Sequence, residues 1–397
     1  MPSNNNILIA QGGGPTSVIN QSLAGIIINE KKKKSKIFGS INGVNGIINN
    51  NFIRLNNILS KEITMLRNTP GAALGSTRDK PDQKYCEEIY HVLKKKRINK
   101  FYYIGGNDSS DSLRIISQYS RQKGYNLQCI HVPKTIDNDL VYNDHTPGFG
   151  SAAKYVAQLF SGINFDVRSL PGVYIGVVMG RHAGFLTASS SLLRSKGSDG
   201  PHLIFIPEFS FNIKEFINNI NSVFNKYGRC IIAVSEGIKD KNNILYTKKI
   251  QSSNEYDDHG NIQLSGSGML GDFLASEVKN KLKISRVRAD TLGYSQRCFL
   301  GSASEIDQKE AFEIGLKAVS FSNMHLESFS IGIEERKNFS QKYKVKFIVN
   351  KLSDIAGKTK IMPKKFYNFK KFNVTKNFLN YCKPLIGTKF PQTGSII

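Results

Sequence analysis

The sequence predicts an α/β fold: two Rossmann-like three-layer domains with mostly parallel sheets and an active site in the cleft between them. Apolar strand-like runs alternate with helical stretches, as parallel sheets require because each crossover needs a helix. The alternation occurs in two blocks, residues 1–148 and 149–294. Several strands run into glycine-rich or polar loops, which meet at one edge of such sheets and bind ligands there.

The first block opens with a strand at residues 6–10, a glycine loop at 11–17 and a helix that continues to about residue 28. α/β proteins hold phosphate in a loop of this position. No Gly-Lys-Ser/Thr follows, so it is not a Walker loop, and it lacks the dinucleotide fingerprint; a plain tight turn remains the alternative. The rest of the block is predicted to contain a strand with glycine turns, a polar loop and a helix, at 36–47, 70–78 and 84–96.

Two loops between residues 101 and 140 carry the most specific chemistry. The strand 101–104 runs into the sequence Gly-Gly-Asn-Asp-Ser at 105–109, where freed backbone N–H groups and a helix start form a phosphate cradle. The second loop places Lys134 near Asp137 and Asp139. Two carboxylates can divide proton transfer and metal binding between them, and a lysine holds an anion. The pair predicts phosphoryl transfer with Mg²⁺, although each loop alone also has turn composition.

The second block continues the alternation and ends in a lysine- and phenylalanine-rich tail. An edge strand is predicted from Tyr343 to Phe347, and aromatic residues beyond Met362 predict a tail that packs on the body. The string from Gly266 to Gly271 matches G-x-G-x-x-G, but a polar stretch precedes it instead of a strand, which argues against a dinucleotide site. The predicted strands are 173–178, 203–206 and 229–234, and the predicted helices are 151–162, 213–226, 268–282 and 305–321.

Bulk composition is that of a globular protein. The chain has 397 residues with 40% hydrophobic and 22% charged residues, and no apolar run approaches the roughly 20 residues that cross a bilayer. The N-terminus lacks the pattern of a signal peptide, so we expect a cytoplasmic protein without membrane partners. The five cysteines are too far apart in sequence to indicate a metal knuckle or a redox pair.

The net charge of +24 has two interpretations. Lysine runs at 31–34 and 94–97 are compatible with nucleic-acid binding. However, the lysines are scattered, the runs fall at helix ends or in loops, and there is no RNA-binding aromatic motif, zinc finger or basic zipper. A small polyanionic substrate, combined with a compositional preference for lysine, is the other interpretation, and we expect no nucleic-acid partner.

Seven motifs in one order resemble the phosphofructokinase family, and more closely its pyrophosphate-dependent bacterial branch. The resemblance covers about residues 7–310, and Lys358-Thr359-Lys360 with Met362-Pro363 is similar to the tail of that branch. The motifs are residues 12–20, 74–78, 105–111, 133–139, 179–184, 235–237 and 288–297.

The resemblance implies a role for each motif. It implies that Asp137 takes the proton of the sugar 1-hydroxyl during attack, with Asp139 as its supporting carboxylate and Thr135 beside the transferred group. It further implies that Asp108 reaches Mg²⁺. The phosphoryl-donor contacts implied in the same way are Gly14, Arg78, Asp108, Ser109 and Lys134.

The same resemblance implies a sugar-phosphate site. Met179, Gly180 and Arg181 match the segment that contacts the sugar phosphate, and Glu236 matches the residue on the sugar hydroxyls. Arg288, Tyr294 and Arg297 match the grip on the 6-phosphate, a chemistry that suits arginine. In this family that grip includes residues of a neighbouring subunit, which implies a homodimer or homotetramer. The implied domains are 1–148 with about 295–355 for the donor, and 149–294 with about 356–397 for the sugar.

Two positions favour pyrophosphate as the donor. Family members that use ATP have glycine where this chain has Asp108 and Lys134; the aspartate would repel a nucleotide α-phosphate, whereas the lysine would hold pyrophosphate. The expected reaction is reversible transfer to fructose 6-phosphate, giving fructose 1,6-bisphosphate, a step of glycolysis and gluconeogenesis. Three departures accompany the match: Asn107 replaces a metal-binding aspartate, Val177 replaces a glutamate, and Cys298 replaces a glycine.

Three alternatives stay open at the level of sequence. The first is the same sugar chemistry with ATP, and the second is a wider substrate range that includes sedoheptulose 7-phosphate. The third belongs to another class: a basic nucleic-acid-binding protein in which the site is a relic. Steeply salt-dependent binding to duplex without turnover would favour that third alternative.

Overall fold

The computed structural model describes residues 6–33, 35–250 and 267–391. Two sheets dominate these residues, and helices cover both faces of each. The strands are β1 (Asn6–Gln11), β2 (Lys36–Ser40), β3 (Phe52–Arg54), β4 (Ile98–Gly105), β5 (Gln128–Pro133), β6 (Val173–Val178), β7 (Leu203–Phe205), β8 (Cys230–Ser235), β9 (Val287–Thr291), β10 (Phe329–Ile333), β11 (Phe347–Lys351), β12 (Tyr367–Asn368) and β13 (Asn373–Val374).

Helices connect most of these strands, and two short 3₁₀ turns, Lys364–Phe366 and Lys383–Ile386, lie in the C-terminal tail. The α-helices are α1 (Ile19–Lys31), α2 (Gly43–Ile48), α3 (Ser60–Arg67), α4 (Gln83–Lys95), α5 (Asn107–Gln122), α6 (Phe149–Ser169), α7 (Phe185–Ser189), α8 (Ile213–Tyr227), α9 (Tyr246–Ile250), α10 (Met269–Leu282), α11 (Ser295–Cys298), α12 (Glu305–Met324), α13 (Leu352–Ile355) and α14 (Lys376–Cys382).

The larger sheet has the order β11-β10-β5-β4-β1-β2-β3. Its five inner strands are parallel, and only the two edge strands, β3 and β11, run antiparallel. The inner strands β1 and β5 are almost continuously buried, which is expected of strands covered on both faces. Separate apolar clusters fill the two faces, one around α1 and α12 and the other around α4 and α5.

The smaller sheet has the order β7-β8-β6-β9, and all its pairings are parallel. One face packs against α8 and α10. The other face packs against α6 and the C-terminal tail, where Phe378 and Tyr381 are fully buried. The predicted α/β fold with two three-layer units is therefore confirmed, and so is the packing of the aromatic tail.

Several predicted elements need correction. The edge strand begins at Phe347 instead of Tyr343, because the Tyr343 side chain turns inward to Glu310 and leaves the alternating pattern. The polar stretch near 60–80 contains helix α3, which its low apolar content concealed. Helix α6 is longer than predicted at both ends. Gly266 lies outside the described residues, so the G-x-G-x-x-G string has no structural test here.

The carboxyl ends of the two sheets face one another. Loops after β1, β4 and β5 and loops after β6, β8 and β9 line a single cleft. This follows the general rule for ligand sites in open α/β sheets. Within the described residues, no helix has the length and apolar character needed to cross a membrane.

Candidate active site

The cleft has a volume of about 550 Å³ and collects nearly all of the candidate residues named from the sequence. Of that set, Gly180 and Arg288 do not line it. The candidates that do line it are Gly14, Arg78, Asp108, Ser109, Lys134, Thr135, Asp137, Asp139, Met179, Arg181, Glu236, Tyr294 and Arg297.

The glycine loop after β1 forms one wall of the cleft. The Gly12 N–H bonds to the Ile104 carbonyl at 2.9 Å, and a Cβ on Gly12 would lie 2.4 Å from the Tyr103 hydroxyl. Gly13 has a φ of +75°, a conformation that glycine adopts without strain. These two glycines bring the backbone of Gly14 to the cleft. The loop is therefore a tight turn, and it needs glycine because its backbone passes close to the Tyr103 side chain.

Lys134 crosses from β5 to this loop. Its ammonium donates a hydrogen bond to the Gly14 carbonyl at 2.7 Å, and the side chain is buried. Burial lowers the pKa of Lys134 to about 8, and the neighbouring Arg297 charge acts in the same direction. A buried ammonium poised near neutral pH is well suited to binding a phosphate anion.

Asp137 and Asp139 lie on the same loop, separated by one residue, and both line the cleft. Burial raises the pKa of Asp137. Burial, together with repulsion from Asp137, raises the pKa of Asp139 to about 7. The Thr135 hydroxyl accepts a hydrogen bond from the Asp137 N–H at 3.1 Å and also bonds to Asp139. Two carboxylates with raised pKa values in a cleft are the groups expected of an acid–base site.

The start of helix α5 lies against these carboxylates. Asn107 Nδ2 donates to Asp139 Oδ2 at 3.1 Å, whereas Asn107 Oδ1 is buried without a hydrogen-bond partner among the described residues. Asp108 extends from the first helical turn into solvent and pairs with Lys80 at 3.4 Å. Ser109 is buried next to Tyr103. The first turn of this 16-residue helix thus lines the cleft, and a helix N-terminus favours anions.

The facing wall comes from the smaller sheet. The Met179 N–H donates to Gln296 Oε1 at 3.1 Å, and the Gly180 N–H reaches Glu236 Oε1 at 3.4 Å. Gly180 itself is hidden behind its neighbours, with a φ of +141°. Its N–H group contacts the Glu236 carboxylate, and its ligand contact stays a prediction. Val177, one of the departures, is buried in the apolar core and does not line the cleft.

Positive charge converges at the end of the cleft near α11. The Arg297 guanidinium lies 4.8 Å from the Tyr294 ring centroid, and its Nε would be 3.1 Å from a Cβ placed on Gly14. Burial lowers the pKa of Arg297, and the charge of Arg78 adds to that effect. Cations that repel one another in a partly buried site indicate that the site accommodates an anion.

Arg288 lies elsewhere. It is exposed on β9, the edge strand of the smaller sheet, and its Nη1 donates to the Val287 carbonyl at 3.0 Å. The side chain therefore cannot be counted among the groups that line the cleft of its own chain.

The C-terminal tail contributes a part of the site to which the sequence assigned no role. Lys360 N–H donates to the Asp139 carbonyl at 2.6 Å, and its ammonium bonds to Asn138 Oδ1 at 3.4 Å and to the Asn143 carbonyl at 2.7 Å. Asn138 has a φ of +60°, and its Nδ2 donates to the Tyr381 hydroxyl at 2.7 Å. The tail thus clamps the residue between the two carboxylates.

Other lining residues were also missed. Asp79, Lys80, His182 and Thr359 line the cleft. The Lys358-Thr359-Lys360 run was visible as a resemblance, but nothing in its spacing links it to residues more than two hundred positions earlier. Asp79 and Lys80 follow Arg78 directly, so extending that motif by two residues would have included them.

The fold and the cleft together define a member of the phosphofructokinase family. The family model described as "Phosphofructokinase" matches residues 6–322, and the chain belongs to this family.

Several curated relatives are named pyrophosphate–fructose 6-phosphate 1-phosphotransferase, whereas one from Alkalicoccus urumqiensis, 31% identical over 339 residues, is named sulfofructose kinase. The chain is 50% identical over 388 residues to the pyrophosphate–fructose 6-phosphate 1-phosphotransferase of Rhodospirillum rubrum, covering 97% of this chain and 95% of that one. It is 34% identical to the enzyme of that name from Xanthomonas campestris, covering 98% and 93%. The crystal structure of pyrophosphate-dependent phosphofructokinase from Nitrosospira multiformis superposes with a TM-score of 0.85 at 34% identity, covering 100% and 95%.

Proposed function

We propose that this protein transfers a phosphoryl group from pyrophosphate to the 1-hydroxyl of fructose 6-phosphate, giving fructose 1,6-bisphosphate and phosphate. The observation that carries the proposal is the convergence of Lys134, Arg78 and Arg297 on the Asp137–Asp139 pair in one cleft. Relatives that carry the name of this activity match almost the whole chain. No nucleotide is consumed, so the reaction runs in both directions.

In the proposed mechanism, Asp137 takes the proton of the attacking hydroxyl. Its carboxylate lines the cleft, and burial gives it a raised pKa, which favours proton acceptance. Asp139 lies on the same loop and shares the Thr135 hydroxyl with it, so it fixes the orientation of the pair. Lys134, Arg78 and the backbone at Gly14 neutralise charge on the donor and hold it in line for transfer.

The residues fit a magnesium ion. Mg²⁺ binds through one or two carboxylates and the phosphates of its substrate, and it would supply charge neutralisation on the donor. Asp108 is the proposed carboxylate ligand, as the resemblance implies. The unpartnered Asn107 Oδ1 and the adjacent Asp139 offer further oxygen atoms of the preferred kind. Asn107 is a weaker ligand than aspartate, so the neighbouring carboxylates carry more of the binding.

Asp108 and Lys134 are proposed to select the donor. Asp108 stands at the cleft mouth with 67% of its side chain exposed, where it would face the α-phosphate of a nucleotide. Lys134 lies deeper and replaces with charge the anchoring that adenosine would provide. Asp108→Gly combined with Lys134→Gly is expected to weaken pyrophosphate use and relieve the exclusion of ATP. Unchanged turnover with pyrophosphate in that double variant would contradict this assignment.

The sugar phosphate is proposed to lie against the smaller sheet, with Met179, Arg181 and Glu236 around the sugar and Tyr294 and Arg297 at the 6-phosphate. Arg288 is exposed on an edge strand outside its own cleft. We therefore propose that it completes the 6-phosphate grip in a neighbouring copy of the chain, so that the active unit is at least a homodimer. We also keep the two domains proposed from sequence, since 1–148 and 295–355 hold all strands of the larger sheet.

The decisive experiment is a turnover assay with fructose 6-phosphate and Mg²⁺ that compares pyrophosphate with ATP. Turnover with pyrophosphate alone is the expected result. Turnover with ATP alone would retain the base and the fold but reject the donor argument. Sedoheptulose 7-phosphate assayed beside fructose 6-phosphate measures the width of the sugar site. Absence of turnover with every combination would reject the proposed function.

A further inference from the structure

A second cavity is lined by the segment that connects β10 to β11 and by Pro384 of the C-terminal tail. It has a volume of about 280 Å³ and is lined by Arg336, Lys337, Phe339, Lys342, Lys344 and Pro384, among others. We call it the Arg336 pocket. Its volume is just below the usual range for ligand sites, which suits a compact molecule.

The Arg336 pocket is strongly basic. No aspartate or glutamate is among its described lining residues. Lys337, Lys342 and Lys344 are exposed and form no ion pair with any described residue, whereas nearby Lys346 pairs with Glu334 at 3.2 Å. If these lysines only reflected the net charge of +24, we would expect them on convex parts of the surface. Here, the cations instead surround a concave site, where like charges repel unless an anion joins them.

Arg336, a partly buried residue of the pocket, is already fixed on one side. Arg336 Nε and Nη2 donate to Asp144 Oδ2 at 2.9 and 2.8 Å, and Nη2 also reaches the Tyr381 carbonyl at 3.1 Å. No described residue accepts a hydrogen bond from Nη1. A guanidinium held in place by one carboxylate, with a donor left over, is pre-organised for a phosphate.

Hydrogen bonds connect this arginine to the catalytic loop. Asp144 accepts from Arg336 with its side chain and from the Tyr381 hydroxyl, at 2.7 Å, with its carbonyl. The same hydroxyl accepts from Asn138, which lies between Asp137 and Asp139. The path from the Arg336 pocket to the two carboxylates therefore has three side chains, all buried.

We propose that the Arg336 pocket is a second anion site, separate from the cleft, that binds a compact phosphate-bearing polyanion. An anion there draws the Arg336 guanidinium away from Asp144, loosens the Tyr381–Asn138 contact and lowers turnover. The ligand is either an inorganic polyphosphate or a small phosphorylated metabolite, since lysine recognises the phosphate in both. Binding rests on the pocket alone, and only the effect on turnover rests on the proposed function.

The binding test is calorimetric titration of the full chain, without added divalent cation, with inorganic tripolyphosphate and separately with 3-phosphoglycerate. The triple variant Lys337→Gln/Lys342→Gln/Lys344→Gln removes the pocket cations. The matched control, Lys279→Gln/Lys281→Gln/Lys283→Gln, removes three exposed lysines at the end of α10. We expect one binding event to weaken by about tenfold or more in the pocket variant only, since hydrogen bonds from charged donors to phosphate are stronger than those between neutral groups.

The two anions separate the two sources. A lysine-dependent site for tripolyphosphate alone indicates a phosphoanhydride chain, and one that also takes 3-phosphoglycerate indicates a phosphorylated metabolite. Titrations that are the same in parent, pocket variant and control, for both anions, would overturn the site.

The kinetic test uses saturating pyrophosphate. Competition between tripolyphosphate and pyrophosphate in the cleft changes only KM, so it does not affect the measured kcat. We expect tripolyphosphate to lower kcat by about fivefold, the lower end of typical coupling, in the parent and the control but not in the pocket variant. Lysine-dependent binding with an unchanged kcat would reject the coupling. Binding lost in the pocket variant of an enzyme that has no activity would support the site while the proposed function fails.

Discussion

Two charged clusters lie within a few residues of each other on the segment after β5, and they are built in opposite ways. The cleft cluster contains Asp137, Asp139 and Lys134. Burial raises the pKa of both aspartates and lowers the pKa of the lysine, so it favours the neutral form of each group. The second cluster contains Asp144, His145 and Glu310, with Arg336 and Tyr343 around them. In it, every charge faces an opposite charge or a hydrogen-bond partner.

The second cluster is complete. His145 Nδ1 bonds to Asp144 at 2.8 Å and Nε2 bonds to Glu310 at 2.6 Å. Although burial opposes its charge, Glu310 and Asp144 raise the pKa of His145 to about 9. The Tyr343 hydroxyl donates to the other Glu310 oxygen. Because the imidazolium bridges two carboxylates, the charges of Asp144, His145 and Glu310 are neutralised within the cluster, which stabilises the fold.

The difference teaches how to separate a site from a structural network. Both clusters are buried and both contain paired carboxylates, so composition and burial do not distinguish them. In the cleft cluster, Asp139 repels Asp137 and Lys134 lies near Arg297, so like charges stay close together, as is expected of a site that binds ions. Incomplete neutralisation marks the site.

The largest effect is expected from Asp137→Asn. The amide cannot accept the hydroxyl proton, so kcat should fall by at least about 100-fold, the usual scale for loss of a general base. The affinity for fructose 6-phosphate should change little, because the proposed sugar contacts lie on the facing wall. Steady-state kinetics with pyrophosphate and a binding titration measure the two quantities.

Asp166→Asn is the matched control, since this carboxylate is exposed and pairs with Arg286 at 3.0 Å. It should leave kcat unchanged. Turnover retained in Asp137→Asn would show that Asp137 is not the general base.

Glu310→Gln should break the complete cluster. Removal of one charge from a buried network costs roughly 3–5 kcal/mol, so the free energy of unfolding should fall by that amount. His145 has its pKa raised from 6.5 to about 9, so its stabilisation is complete below pH 6.5 and is lost as pH rises through 9. This dependence should flatten in the variant. Urea unfolding measured across that pH range tests both effects.

Glu313→Gln on the same helix removes a partly exposed carboxylate that pairs with Lys309 at 4.0 Å. Its unfolding free energy should stay close to that of the parent. Equal losses for Glu310 and Glu313 would show that the buried network is not a stabilising unit.

Sequence predicted the cleft cluster better than the complete one. Lys134, Asp137 and Asp139 share one short loop, so local spacing shows them together, and strand–helix alternation places that loop at a sheet edge. Glu310, Arg336 and Tyr343 come from three distant segments and meet Asp144 only through packing. The same reason hid Lys360 and the true start of β11, since Tyr343 leaves the strand pattern to reach Glu310.

Lys360→Met should give a smaller effect that connects the tail to the cleft cluster. Methionine has a side chain of similar length but cannot form the hydrogen bonds to Asn138 and Asn143. The catalytic loop is then less well positioned, and kcat should fall about tenfold. The Lys360 charge also lowers the pKa of Asp139, so the acid limb of the pH profile should move to higher pH. Lys360→Arg is expected to restore the limb. A fall in kcat with an unmoved limb would indicate general loss of packing.

The smallest effect concerns the shape of the pH profile. Because burial raises the pKa of Asp139 to about 7 and lowers the pKa of Lys134 to about 8, we expect kcat/KM to rise to a narrow maximum between these values and to fall on either side. Lys134→Arg keeps its charge at all accessible pH values, so its alkaline limb should disappear while the acid limb stays. Burial also lowers the pKa of Lys360 to about 8, which makes it the rival source of the alkaline limb. An alkaline limb that persists in Lys134→Arg but disappears in Lys360→Arg would show that Lys360 in the C-terminal tail, and not Lys134 in the cleft, is the group that titrates.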